Sequence, residues 1–315
     1  MSCIRLKLLL LILFLASAAT TRAAEPEPLT LVKGAKRILF LGDSITAGGR
    51  YVAAFDAWII ADRWEQPPQV INMGLASETV SGLSEEGHAG GAFPRPDLAE
   101  RLDRVLAAAK PDLVFACYGM NCGIYLPLED ARFAAYQQGM TRLKTAVEKR
   151  GAKLIVVTPP YFDALKQPKK DHYDGVLAKY SEWLLDQRKA GWVVIDLHAP
   201  MRAEVLSRRE KSPNFMFAGD GVHPSDEGHW FIAAQIIRAC GDDKAAAAAS
   251  PEALLASASI DAKAWPLIER RMSILRDAYV SAAGHKRPGV AKGLPLEKAE
   301  AEAAKLTQQI QSLLK

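Results

Sequence analysis

Several features that would assign this chain to a functional class are scarce or missing. Cysteine occurs four times in 315 residues. Cys3, Cys117, Cys122 and Cys240 make no paired C-x-x-C spacing, which argues against a zinc site and leaves no disulfide framework. At most one disulfide is possible, and none is expected. Beyond the first 24 residues no apolar run approaches the roughly 20 residues that a bilayer span needs. Internal repeats are absent. A charge surplus is missing too, once the amino end is set aside. The formal charge is +4, but Arg5, Lys7 and Arg22 precede Ala24 with no acid among them, so the rest carries only +1. No nucleic-acid partner follows from such a balance.

The amino end has the layout of a secretory signal. Arg5 and Lys7 precede an uncharged run from Leu8 to Ala19, and small residues follow at Ser17, Ala18, Ala19, Ala23 and Ala24. The run is short for a membrane span, and an uncleaved anchor is the alternative. Cys3 lies ahead of the run, not at a lipidation position behind it. Residues 1–24 are therefore expected to be removed from a secreted or periplasmic protein that keeps no integral membrane segment. Hydrophobic residues make up 49% of the chain and charged residues 24%, ordinary for a globular core.

Past the leader, strand and helix patterns alternate. Short apolar runs at Arg37–Leu41, Gln69–Met73, Leu113–Tyr118, Lys153–Thr158 and Trp192–Asp196 read as buried strands. Between them, apolar residues recur at spacings of three and four: Leu98, Leu102, Val105 and Leu106; Phe133, Tyr136, Met140, Leu143 and Val147; Val176, Leu177, Tyr180 and Leu184. Gly151 and Gly191 stand where helices end. Five apolar strands separated by helices imply a parallel sheet covered on both faces, with every strand's carboxyl end on one edge. A helix is expected from Asp226 to Cys240 behind an N-cap at Ser225. Ala245–Ala249 reads as a low-complexity bridge to a helical extension, with helices at Trp265–Ala283 and Leu294–Leu313. The expected domain division is 25–245 and 246–315. The charges at Glu269, Arg270, Arg271 and Arg276 read as a solvated helix face.

Chemistry-bearing residues gather at the strand ends. The first strand runs into Gly42-Asp-Ser44-Ile-Thr-Ala-Gly-Gly49, ahead of a helical pattern from Tyr51 to Glu65. A serine on a turn leaving a buried strand is presented where open α/β folds place ligands; it is equally able to cap a helix. The second strand ends in Asn72-Met-Gly74-Leu-Ala-Ser77, the third in Tyr118-Gly-Met-Asn121-Cys122, and Asp220-Gly-Val-His223 follows the fifth. Ester cleavage gives each a role. Ser44 would attack a carbonyl carbon once a base takes its proton, and histidine suits that task. Asp220 would hold the other ring nitrogen of His223. The backbone N–H groups of Ser44 and Gly74 and the side-chain amide of Asn121 are candidate oxyanion donors. Taken alone, Asp220-x-x-His223 is as readily a loop hydrogen bond, Asn121 a turn residue and Asp43 a capping acid. Ser81–Gly91 is the candidate substrate-contacting loop, and His198 the best of the remaining histidines for lining a pocket.

Gly42-Asp-Ser-Ile45, Gly74, Asn121 and Asp220-x-x-His223, in that order, resemble the blocks of the GDSL/SGNH hydrolase superfamily over roughly Leu31 to Ala245. The resemblance implies a flavodoxin-like three-layer α/β/α fold with strand order 2-1-3-4-5. It also implies metal- and cofactor-free ester hydrolysis, with Ser44, Asp220 and His223 as triad and Ser44, Gly74 and Asn121 as oxyanion hole. Two positions depart from it: Cys122 where an Asp is common, and Ser77 where a second Gly is common. Carbohydrate O-acetyl esters, small or polymeric, are the expected substrates. A lysophospholipase or thioesterase, and a silent exported carbohydrate-binding scaffold, are the alternatives. Nothing in the sequence fixes the oligomeric state.

Overall fold

The computed structural model describes residues 28–314; the leader lies outside the described residues. Five strands, β1 (Arg37–Gly42), β2 (Gln69–Asn72), β3 (Leu113–Cys117), β4 (Lys153–Val157) and β5 (Val193–Ile195), form one parallel sheet in the order β2-β1-β3-β4-β5. Each runs through residues that are almost wholly buried, as a sheet covered on both faces requires. All five strands end within a residue of the apolar runs in the sequence; β5 loses Trp192 and Asp196, one from each end.

In chain order the helices are α1 (Pro28–Gly34), α2 (Ser44–Gly48), α3 (Arg50–Ala61), α4 (Leu98–Ala109), α5 (Asp130–Lys149), α6 (Tyr173–Asp186), α7 (His198–Arg209), α8 (Asp226–Ala239), α9 (Asp243–Ala246), α10 (Pro251–Ser257), α11 (Ala264–Ala283) and α12 (Leu296–Ser312). Their ends follow local chemistry. The Asp97 and Ser225 side chains accept from the second and third N–H groups beyond them and open α4 and α8. Gly151 and Gly191, at φ of 78° and 80°, stop α5 and the turn after α6, a left-handed backbone that costs glycine little. The paired α3 and α8, and the paired α4 and α5, cover the sheet.

Three expectations are corrected. The helical pattern after the first strand begins earlier than Tyr51, at Ser44, breaks at Gly49 and ends at Ala61 rather than Glu65. Ala245–Ala249 is partly helical: Asp242 caps the Ala245 N–H at 2.8 Å, and Ala245 and Ala246 are buried. Of the α11 charges, Arg270 is exposed as expected, but Arg271 and Arg276 face the core domain rather than solvent. Arg271 pairs with Asp56 of α3 at 2.7 Å, both nearly buried, and Arg276 donates to the Ala47 carbonyl at 2.8 Å. Leu254, Ile268, Met272, Leu275 and Tyr279 belong to the same apolar core as the sheet. Helix α11 runs beside the edge strand β2 and touches α3 and α4.

The register fixes the site. Gly42 pairs with Cys117, and Phe40 with Asn72, so the segments leaving β1, β2 and β3 emerge together on one edge.

Candidate active site

Ser44 is the first residue of α2, immediately after the N-cap. The cap is Asp43, whose Oδ1 accepts from the Ile45 N–H at 3.0 Å, so the serine hydroxyl has no capping role. Asp43 is buried, and burial pushes its carboxyl up to about 6 against the Ile45 hydrogen bond and the attraction of His223 and Arg95.

The Ser44 Oγ lies 2.9 Å from His223 Nε2, and His223 Nδ1 lies 2.7 Å from Asp220 Oδ2. The other Asp220 oxygen accepts from the backbone N–H groups of Val222 at 2.9 Å and His223 at 2.8 Å. Burial pushes the Asp220 carboxyl up, but these bonds and the histidine outweigh it and hold it below the ordinary carboxylate range. An acceptor fixed on Nδ1 leaves the Nε2 lone pair facing the serine hydroxyl. The His223 and Asp220 side chains are 55% and 54% exposed, so the trio sits at an open surface. Concavities of about 400, 450 and 260 Å³ occur elsewhere, and none of the three residues lines them.

The other sequence candidates separate. Asn121 is buried beside this edge; its amide nitrogen is 3.4 Å from the Glu78 carbonyl, and its oxygen accepts from the Tyr125 hydroxyl at 3.3 Å. Gly74 is engaged within the protein. Its N–H is already held by Asn72 Oδ1 at 2.9 Å. A Cβ there would lie 2.4 Å from the Ala47 nitrogen, so the glycine lets α2 press on the strand end. Ser77 instead has a left-handed backbone, φ 66°, and its N–H has no partner among the described residues. Serine rarely adopts that conformation without cause. The next residue, Glu78, is the one whose carbonyl meets the Asn121 amide. Sequence reading marked Ser77 only as a departure from the resemblance, at a place where glycine is common.

A buried ion pair holds this turn. Arg101 of α4 grips Glu78 through two bonds of 2.6 and 2.8 Å and also donates to the Met73 carbonyl at 2.7 Å. The Tyr118 hydroxyl donates to Glu78 at 2.6 Å. Burial raises the Glu78 carboxyl despite the charge and hydrogen bonds of Arg101 and the Tyr118 bond. None of these four residues was singled out from sequence for this role.

Tyr125 stands beside Asn121 in a left-handed backbone, and its ring meets the guanidinium of Arg95 and the ammonium of Lys170. Within the Ser81–Gly91 loop, Glu85 pairs with Arg95 through two bonds of 2.6 Å. Cys122 is buried, its sulfur accepting from the Val80 N–H at 3.4 Å, and it fills space. His198 is buried and bonded to Asp174 at 2.9 Å, not to any of the trio. Among the described residues no group of three or more His, Cys, Asp or Glu side chains is placed to hold a metal ion, and no helix is long and apolar enough to cross a membrane.

Comparison with known proteins agrees with this architecture. The chain is similar to BT4096, a gut microbial diltiazem-metabolizing enzyme, at 22% identity and TM-score 0.55, over 65% of this chain and 47% of that one. It thus spans about half the length of that protein. Two mutants of Axe2 from Geobacillus stearothermophilus are also similar at 23% identity. One, of the acetylxylan esterase, has a TM-score of 0.50; the other, of the acetyl-xylooligosaccharide esterase, has 0.51; each match covers 65% of this chain and 94% of theirs. At such identities the likeness is one of fold. No curated protein matches the chain. The model of the GDSL-like Lipase/Acylhydrolase family matches residues 40–231, well over half of the sequence, and the chain belongs to that family of carboxylic ester hydrolases.

Proposed function

We propose that this protein is an exported serine esterase that removes short acyl groups, most characteristically O-acetyl groups, from carbohydrates. The observation that carries the reading is the unbroken relay Ser44 Oγ–His223 Nε2–His223 Nδ1–Asp220 Oδ2 at 2.9 and 2.7 Å. In the proposed reaction Ser44 Oγ bonds to the acyl carbon while its proton passes to His223 Nε2. Asp220 remains ionised and stabilises the imidazolium. The carbonyl oxygen becomes an oxyanion, with the Ser44 N–H, the Asn121 amide and the Ser77 N–H as its donors. Ser77 takes the place first assigned to Gly74, whose N–H is occupied. Collapse breaks the bond to the alcohol oxygen, which leaves with the proton from His223. Water then releases the acid and restores Ser44 by the same steps reversed.

The open setting of His223 and Asp220 favours a bulky alcohol portion over a long acyl chain, which would need an enclosed apolar channel. Acetylated xylan is the substrate class named for Axe2, and its transfer to this chain is part of the proposal. Export rests on the layout of residues 1–24. The test is hydrolysis of a series of aryl esters by the mature protein. Acetyl should be the best acyl group, and Ser44→Ala should lose all turnover above background. Rates climbing steadily toward medium-length chains would redirect the assignment to lipid or thioester substrates. An inactive parent protein would mark a silent scaffold.

A further inference from the structure

Helix α2 is five residues long, too short to hold itself in place. It carries Ser44 at one end, and its orientation aims that hydroxyl at His223. A helix leaves its last carbonyls without internal partners. In α2 those of Thr46 and Ala47 are both taken. Asn72 Nδ2 donates to the Thr46 carbonyl at 2.7 Å, from the end of β2. Arg276 Nη1 donates to the Ala47 carbonyl at 2.8 Å, from α11. The guanidinium is itself steadied, its Nε donating to Asp277 Oδ1 at 2.9 Å, and its side chain is about three-quarters buried. Two further contacts brace α11 on the same region: Arg271 with Asp56 at 2.7 Å, and Glu269 with Arg50 at 3.4 Å. Arg276 lies 45 residues beyond residue 231, where the family match ends.

From this geometry we infer that Arg276 is a positioning residue for the nucleophile: the carboxyl-terminal extension reaches back to fix the carbonyl end of α2 and thereby the angle at which Ser44 meets His223. The inference rests on the reading of Ser44 as nucleophile. A cation at a helix carboxyl end satisfies an orphan acceptor and complements its partial negative charge. With the arginine removed, α2 keeps its Asp43 cap and its Asn72 tether but can pivot about them. A shift of about 1 Å in a reacting atom can cost a factor of about 100 in rate. The loss belongs to the chemical step, because Arg276 contacts the backbone of α2 and not the substrate.

The test compares Arg276→Met and Arg276→Lys with the parent, with Arg270→Ala as control, since Arg270 lies on the same helix in an exposed pair with Glu302. Turnover of an aryl acetate is referred to sites counted by active-site titration, so unfolded protein does not enter. The rate of Ser44 labelling by a fluorophosphonate is measured alongside. Arg276→Met should lower kcat per titrated site about 10- to 100-fold with KM within about twofold, and slow Ser44 labelling by a similar factor. Arg276→Lys, which keeps a donor, should recover part of both, and Arg270→Ala should match the parent. Parental kcat per site and labelling rate in Arg276→Met would overturn the inference, leaving Arg276 a packing residue. Should that variant not fold, Arg276→Lys and an Arg276→Gln protein decide alone, and parental rates in Gln overturn it. A dead Ser44→Ala beside a parental Arg276→Met rejects this inference only, whereas turnover surviving in Ser44→Ala rejects the nucleophile assignment and this inference together.

Discussion

Replacing Arg101 by methionine tests whether the Glu78 turn is held by a single buried charge pair. Arg101 is 1% exposed and the Glu78 side chain fully buried, so the substitution leaves a carboxylate with the Tyr118 hydroxyl as its remaining side-chain donor and no cation. Breaking such a pair typically costs about 3–5 kcal/mol. At about 2–4 °C per kcal/mol for chains of this size, the melting temperature should fall by about 6–20 °C. The loss should depend on pH in a stated direction. Burial pushes the Glu78 carboxyl up, and Arg101 supplies the leading opposition. Without the arginine, the native state holds a proton over a wider range than the unfolded chain. Stability therefore falls as pH rises through that window, and the penalty at pH 8 should exceed that at pH 5. Urea unfolding at both pH values measures it, with Glu78→Gln/Arg101→Met closing a double-mutant cycle. The double variant should recover a good part of the loss, because no unpaired charge remains. A single-variant cost below about 1 kcal/mol, or two losses that simply add, would refute the reasoning.

Asn121→Ala should lower kcat by about 10²–10³ if its amide serves the oxyanion, with binding of the ground-state ester little changed; steady-state kinetics on an aryl acetate decides it. Gly74→Ala should disrupt both stability and turnover, since the added carbon meets the α2 backbone at 2.4 Å, whereas Ser77→Gly should keep turnover and gain about 1 kcal/mol by relieving a left-handed serine; thermal melts and rates of the two variants separate packing from donation. Asp43 is raised from 3.8 to about 6, so its native form binds a proton that the unfolded chain has lost between those values. Stability should therefore decline by about 3 kcal/mol as pH climbs through that interval, and Asp43→Asn, which keeps an oxygen for the Ile45 N–H, should flatten the slope in unfolding measured from pH 4 to 7.

The sheet was legible because a strand covered on both faces is written as one unbroken apolar run, as in Leu113–Cys117, and chain connectivity does the rest. The meeting of Ser44, His223 and Asp220 was legible because ester chemistry restricts the residue types to look for, and because Asp220 and His223 lie three residues apart on one loop. What escaped was long-range or carried by the backbone. Arg276 and its partner Ala47 are separated by 229 positions, and periodicity counts an arginine as polar whether it meets water or a carbonyl. Arg101 sits in the α4 stripe between Leu98 and Leu102, where its burial is invisible without Glu78. The Asn72 partner of the Gly74 N–H was hidden because that N–H looks free in sequence, and only the fold turns the Asn72 side chain back onto it. The helix α9 was hidden by an alanine run that carries no amphipathic signature.

The position of α11 along β2 has a consequence for how this enzyme can be shortened. A parallel sheet ends in a strand with one side of its peptide groups unpaired, and helix α11 shields that rim here. A chain ending before α11, at residue 263, would keep β1 and α8 whole but bare the outer backbone edge of Gln69–Asn72 to solvent. Such a rim recruits strands from other molecules, so the trimmed protein is expected to aggregate, however intact its Ser44–His223–Asp220 contacts.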